Sequence, residues 1–229
     1  MSCYTDSNLK QKSFAIYGLG TTGKSVINFF KKKKLKNYFI WDDNIKMRNI
    51  WNLNSNKRSF FFKKINTVDY IIMSPGININ KLKNKNIIIK NKNKIITDLD
   101  IFYMFKPDSK SIVVTGTNGK STTCEILKHV LKNNKINVKL GGNIGQPILN
   151  LNIKKDTLTI IEASSFQLAY SKFIKPNYAL IINISNDHLD WHGSMINYMN
   201  AKLKIFSLQT QNDYALISNK ILVRRYKKN

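Results

Sequence analysis

Cysteine is scarce in this chain. Cys3 and Cys124 are the only two, far apart and in no C-x-x-C pair. That excludes a disulfide framework and a cysteine-based zinc site, and leaves free thiols suited to a reducing compartment. Long hydrophobic runs are missing too. No stretch reaches the about 18 apolar residues of a membrane span, and the polar segment from Met1 to Lys12 lacks the apolar core of a signal peptide. Both absences point to the cytoplasm. Acidic residues are few, 13 against 38 Lys and Arg, for a formal net charge of +25. Within that excess arginine is rare: Arg48, Arg58, Arg224 and Arg225 are the whole set. The charge is lysine, interleaved with asparagine and isoleucine as in KLKNKNIIIKNKNKII (residues 81–96). That trio is what A- and T-rich codons encode, so the charge reads as compositional, spread over solvated faces, and not as a nucleic-acid footprint.

What is present is an ordinary globular balance, 42% hydrophobic and 22% charged over 229 residues, enough to bury a core in one large or two small domains. SFAIYG (13–18) reads as a buried strand ending in glycine, and TTGKSVINFFKKKKL as a helix with Val26, Ile27, Phe29 and Phe30 on its apolar face. NYFIWDD (37–43), VDYIIMSPGI (68–77) and KNIIIK (85–90) read as further strands. A second unit begins near Thr97, dividing the chain into 1–96 and 97–229. It holds strands SIVVTG, TLTIIEAS, YALIINIS and DYALIS, and helices KSTTCEILKHVLKNN and MINYMNAKLKIFSL. In the first of these helices Ile126, Leu127, Val130 and Leu131 form the inner face. Strands alternating with helices predict an α/β fold: a Rossmann-like domain, then a P-loop-type, mostly parallel-sheet domain.

Two glycine loops carry the chemistry. Gly18, Gly20 and Gly23 match G-x-G-x-x-G between a strand and a helix, with Asp42 about 20 residues on, as in a dinucleotide or diphosphate cradle. NAD, FAD and a UDP-sugar all suit it. The second loop, Thr115 to Thr122, reads TGTNGKST. Its backbone N–H groups suit phosphate oxygens, Lys120 the β- and γ-phosphates, and the Ser121 hydroxyl Mg²⁺. Val114 stands where the standard spacing has its first glycine. A nicotinamide enzyme has no use for this second loop; a kinase-like or ligase-like enzyme does.

GTNGKST is similar to the ATP loop of the Mur ligases, the ATP-dependent amide ligases of peptidoglycan synthesis. GGNIG (141–145), EASSFQL (162–168), NDHLDWH (186–192) and AKLKIF (201–206) follow in the family's order. The E-x-S-S-F-Q-L string looks like that of the members that add D-glutamate, and SPGI (74–77) fits their N-terminal domain. The resemblance covers Phe14 to Ser218. It implies a UDP-binding domain, a central ATPase and a third domain that positions the amino acid. On that pattern the chain ends at Asn229 inside the central domain, and it is not expected to complete ligation alone.

The resemblance also implies the roles of residues. ATP, with Mg²⁺, meets Gly116, Thr117, Asn118, Gly119, Lys120, Ser121, Thr122 and Thr123. Lys120, Glu162, His188 and Lys202 are the catalytic set. The metal ligands are Ser121, Glu162, His188 and a carbamylated Lys202. The UDP-sugar meets Gly18, Gly20, Thr21, Thr22, Gly23, Asp42, Ser74 and Gly76, then Asn143, Ser164, Ser165 and Gln167. Asp43 and Asn44 stand where the family has a basic residue near the uracil. The implied partners are ATP, UDP-N-acetylmuramoyl-L-alanine and D-glutamate, taken by a monomer with no specific nucleic acid and no membrane. Two other readings stay open: an NAD-dependent oxidoreductase resting on the first loop, and a non-catalytic nucleotide-binding module.

Overall fold

The continuous apolar runs Phe14–Tyr17, Tyr70–Met73 and Leu158–Glu162 become parallel strands buried on both faces along most of their length, whereas the run Tyr214–Ile217 becomes an exposed strand. The computed structural model describes residues 6–51, 58–106 and 108–218. They fall into two compact units, 1–105 and 106–229. Among the described residues no helix is long and apolar enough to cross a membrane.

The first unit runs α1 (Asp6–Lys10), β1 (Phe14–Tyr17), α2 (Thr21–Lys32), β2 (Tyr38–Trp41), α3 (Ile45–Ile50), α4 (Arg58–Ile65), β3 (Tyr70–Met73), α5 (Lys85–Lys90), β4 (Ile95–Ile96) and α6 (Asp98–Phe105). The sheet order is β2-β1-β3-β4, all parallel. β1 is central and wholly buried, and α2 buries Val26, Ile27 and Phe30, the last with its ring against Phe14 of β1. The expected strand KNIIIK is instead the helix α5. Only Ile88 of its three isoleucines is fully buried and Ile89 is 43% exposed. A strand inside this sheet would bury more of them, so the segment with a single inward residue forms a six-residue helix. The units divide after α6, whereas the sequence reading divides them at 96/97. The cause is packing: α6 is buried along its whole length and lies on α1 and α2.

The second unit runs β5 (Ser111–Thr115), α7 (Lys120–Asn133), β6 (Val138–Gly142), β7 (Leu158–Glu162), α8 (Ser165–Tyr170), β8 (Tyr178–Ile181), α9 (Leu189–His192), α10 (Met195–Leu203) and β9 (Tyr214–Ile217). Its parallel order is β6-β7-β5-β8-β9. Helix α7 turns Cys124, Leu127 and Leu131 onto Val114, Val138 and Ile160. Ile126 and Val130, expected inside, are 57% and 50% exposed. The i, i+3, i+7 spacing from Cys124 carries the apolar stripe, and Ile126 and Val130 fall beside it.

Each sheet has a switch point where its strand order reverses, and a crevice opens there beyond the carboxyl ends of the strands. In the first unit it lies beyond β1 and β3. In the second it lies beyond β5, with the end of β7 on one side and of β8 on the other.

Candidate functional site

Both glycine loops leave the central strand of their sheet, each at its switch point. In the first unit, Gly18 has φ +98°, and Ser74 Oγ donates to its carbonyl at 3.0 Å. An added Cβ on Gly23 would lie 1.9 Å from the Gly18 oxygen, so the helix can approach the strand only with glycine there. Gly20 and Gly76 differ: nothing lies within 4 Å of a Cβ at either. Packing within the unit does not require these two glycines, and both keep backbone open beside the crevice. Gly20 caps α2, so Thr21 and Thr22 occupy its first turn. Asp42 braces the loop, accepting the Leu19 N–H at 2.7 Å with one oxygen and the Asn44 N–H at 2.7 Å with the other. Asp43 accepts from the Tyr17 hydroxyl and the Trp41 indole. Both carboxylates thus hold the protein's own groups. The basic residues at this end of β2 are Arg48, which donates to the Asp42 and Asp43 carbonyls, and Arg58, 3.9 Å from Asp43.

In the second unit the loop after β5 turns at Gly119, φ +80°, directly into α7. The first turn of such a helix leaves N–H groups with no intrahelical acceptor and favours an anion. Lys120 Nζ curls back to the Thr117 carbonyl at 2.8 Å. Register places Glu162 beside Val114, so its carboxylate ends β7 next to the loop. It is 1% exposed. Ser121 Oγ donates to its Oε2 at 2.7 Å and Asn143 Nδ2 to its Oε1 at 2.8 Å. Among the described residues no lysine or arginine nitrogen lies within 4 Å of it. A buried carboxylate held only by neutral donors is short of positive charge. With the Ser121 hydroxyl it offers a hard oxygen pair, which fits Mg²⁺ completed by phosphate oxygens and water. Gly142 of GGNIG serves this arrangement, since a Cβ there would lie 2.4 Å from the Glu162 carbonyl oxygen.

Lys202 is also 1% exposed. It donates to the Gly116 carbonyl at 2.7 Å and reaches Thr115 Oγ1 at 3.4 Å. Burial, then the charge of Lys120, lowers its pKa to about 7. His188 stands apart from Glu162 in character: it is exposed, sits in the left-handed region at φ +52°, contacts Asp187 at 3.4 Å and lies against the Phe166 ring. Among the described residues no three His, Cys, Asp or Glu side chains gather as a ready-made metal site. The structure therefore brings Ser121, Glu162 and Asn143 together, seats Lys202 beneath the loop, and leaves His188 on the aromatic cluster.

Ser164 and Gln167 form a capping box at the start of α8, and Ser165 Oγ lies 3.0 Å from His192 Nε2. All three are buried. The sequence reading gave no role to His192, Asn183 or Tyr198. His192 stacks on Phe166, and burial, then the charges of His188 and Lys202, pushes its pKa down to about 4. Asn183 and Tyr198 both bond loop residue Thr117. The one visible signal was a polar asparagine interrupting the apolar run YALIINIS.

Residues 114–229 match the family model for the Mur ligase middle domain, and residues 12–96 that for the Mur ligase MurD-like N-terminal domain. The chain is similar to the UDP-N-acetylmuramoylalanine–D-glutamate ligase of Rickettsia felis, 37% identical over 218 residues, which cover 93% of this chain and 47% of that one. The same-named protein of Elusimicrobium minutum is 36% identical, covering 94% and 50%. The chain thus spans about half the length of the curated relatives it matches. In fold it is similar to the UDP-N-acetylmuramate:L-alanyl-gamma-D-glutamyl-meso-diaminopimelate ligase of Neisseria meningitides, with a TM-score of 0.53 at 12% identity over 95% of this chain and 75% of that one. A murein peptide ligase of Psychrobacter arcticus gives 0.50 at 14% identity, covering 95% and 52%.

Proposed function

The chain belongs to the Mur ligase family, and from that premise we propose that it supplies the UDP-sugar-binding and ATP-binding units of a ligase joining D-glutamate to UDP-N-acetylmuramoyl-L-alanine. The observation that carries this reading is the buried Glu162 carboxylate bonded at 2.7 Å to Ser121, in the first turn after a glycine loop. A nucleotide triphosphate with a hard cation is what that arrangement suits.

The reaction proceeds in two transfers. The alanyl carboxylate oxygen attacks the γ-phosphorus of ATP and ADP leaves, giving an acyl phosphate. The amine of D-glutamate then attacks the acyl carbon, loses a proton, and inorganic phosphate leaves as the amide forms. In-line transfer spreads charge over the phosphoryl oxygens. The N-terminal N–H groups of α7 and the ammonium of Lys120 meet that charge, once Lys120 swings from the Thr117 carbonyl to the γ-phosphate. Ser121 and Glu162 would hold Mg²⁺, which would offset negative charge on the nucleotide phosphates. On this reading Lys202, as a carbamate, and His188 would serve a second cation, and Asn143 braces Glu162. Ser164, Ser165 and Gln167 build the wall after β7. In the first unit Gly20 and Gly76, with Thr21 and Thr22, receive the diphosphate, while Gly18, Gly23, Asp42 and Ser74 fix the loop that presents it.

The NAD reading needs a carboxylate at the end of β2 for the ribose. Asp42, the residue in that place, already accepts backbone N–H groups with both oxygens. Isothermal titration separates the readings. Mg-ATP and UDP-N-acetylmuramoyl-L-alanine are expected to bind with one site each, and NAD not to bind. Saturable NAD binding without ATP binding would overturn the proposal.

A further inference from the structure

The loop after β5 has two halves in different states. Register sets Thr115 beside Ile181, so Thr117 leaves the sheet alongside Asn183. The Thr117 N–H donates to both Asn183 oxygens, the carbonyl at 3.1 Å and Oδ1 at 3.0 Å. The Asn118 N–H donates to the same Oδ1 at 3.0 Å, and Asn183 Nδ2 returns a bond to the Asn118 carbonyl at 3.0 Å. Thr117 Oγ1 accepts the Ser185 N–H at 3.0 Å and lies 3.0 Å from the Tyr198 hydroxyl.

We propose that Asn183 is a positioning residue whose amide latches the Thr117–Asn118 half of the loop to the exit of β8, leaving phosphate recognition to the Gly119–Thr122 half. A side-chain amide is the group suited to this, since it accepts from two N–H groups and donates to a carbonyl at once. The latched N–H groups already have acceptors, so using them for phosphate would cost their present bonds. Those of Lys120, Ser121 and Thr122, in the first turn of α7, have no intrahelical acceptor. The latch also fixes where Gly119 begins its turn, and so where α7 points its N-terminus. The glycine loop thereby works as a short anion site with a rigid heel. The identity of the phosphate ligand rests on the ATP reading above; the latch does not.

The test uses the 229-residue chain labelled with ¹⁵N, as wild type, Asn183→Ala and Asn183→Asp. In the wild type the Thr117 and Asn118 amides are expected to exchange with solvent at least about tenfold more slowly than Gly119. Asn183→Ala is expected to abolish that protection at Asn118, whose acceptor is the side-chain oxygen, while Thr117 keeps its bond to the main-chain carbonyl of residue 183; Asn183→Asp, which keeps the acceptor, is expected to retain it at both. The alanine variant is also expected to bind Mg-ATP about tenfold more weakly. Thr117 and Asn118 amides that exchange as fast as Gly119 in the wild type would overturn the latch. So would an alanine variant, folded by its amide dispersion, that binds Mg-ATP as the wild type does. A wild type that takes up no Mg-ATP would sink the ATP reading, with the latch still judged by exchange.

Discussion

Ser121 Oγ donates to Glu162 Oε2 at 2.7 Å, tying the first turn of α7 to the end of β7. Glu162 is a buried carboxyl group whose hydrogen-bond donors are the Ser121 hydroxyl and the Asn143 amide. Replacing it with glutamine keeps its shape and removes the charge. Asn143 and Ser121 retain partners, so stability is expected to hold or rise, because a buried carboxylate is costly. What should vanish is the gain in ATP affinity on adding Mg²⁺, a drop of about tenfold or more, or about 1.4 kcal/mol. Titrations with and without Mg²⁺ measure it; an unchanged Mg²⁺ effect would remove Glu162 from the cation site.

Lys202 is a buried amine with a pKa near 7, so much of it is neutral at mildly alkaline pH. A neutral amine adds CO₂, giving a carbamate and releasing one proton. Incubation with ¹³C-bicarbonate is expected to yield one protein carbamate signal, absent from Lys202→Arg. A signal that persists in that variant would place the carbamate elsewhere.

His192 is held neutral. Folding lowers its pKa from 6.5 to about 4, so as pH falls the unfolded chain takes the proton first. The stability it contributes is complete above about pH 6.5 and is lost as pH falls towards about 4, with a slope of up to about 1.4 kcal/mol per pH unit. Thermal unfolding across that window should show a steeper loss in the wild type than in His192→Gln. Parallel curves would mean that His192 titrates alike in both states.

Gly20 and Gly23 should separate binding from folding. Gly23→Ala places a Cβ 1.9 Å from the Gly18 oxygen and is expected to destabilise by about 1–3 kcal/mol. Gly20→Ala meets nothing, so its unfolding midpoint should stay near wild type while affinity for the UDP-sugar falls. Loss of stability at Gly20 with unaltered binding would contradict the diphosphate role.

Much of this was legible in the sequence for a physical reason. Strands buried on both faces are continuous apolar runs, and glycine loops between strand and helix declare phosphate. SFAIYG, SIVVTG and TLTIIEAS therefore reappear as β1, β5 and β7. Short elements were not legible. KNIIIK carries three isoleucines whether it is strand or helix, and only the depth of the surface it packs on decides. VKLGG at β6 is an edge strand with two glycines, too weak a pattern to read. Long-range bonds were invisible: Asn183 and Thr117 are 66 positions apart, and only the register of β5 on β8 brings them together.

The central claim is that two glycine loops take two different phosphate ligands. Amide chemical-shift mapping of the ¹⁵N-labelled chain tests it most directly. Mg-ATP is expected to move the signals of Gly119 to Thr123 and leave Gly18 to Gly23 in place. UDP-N-acetylmuramoyl-L-alanine is expected to move Gly20, Thr21, Thr22 and Gly76. Mg-ATP shifts confined to Gly18 to Gly23, or no shift at Lys120 and Ser121 at saturating Mg-ATP, would contradict the account.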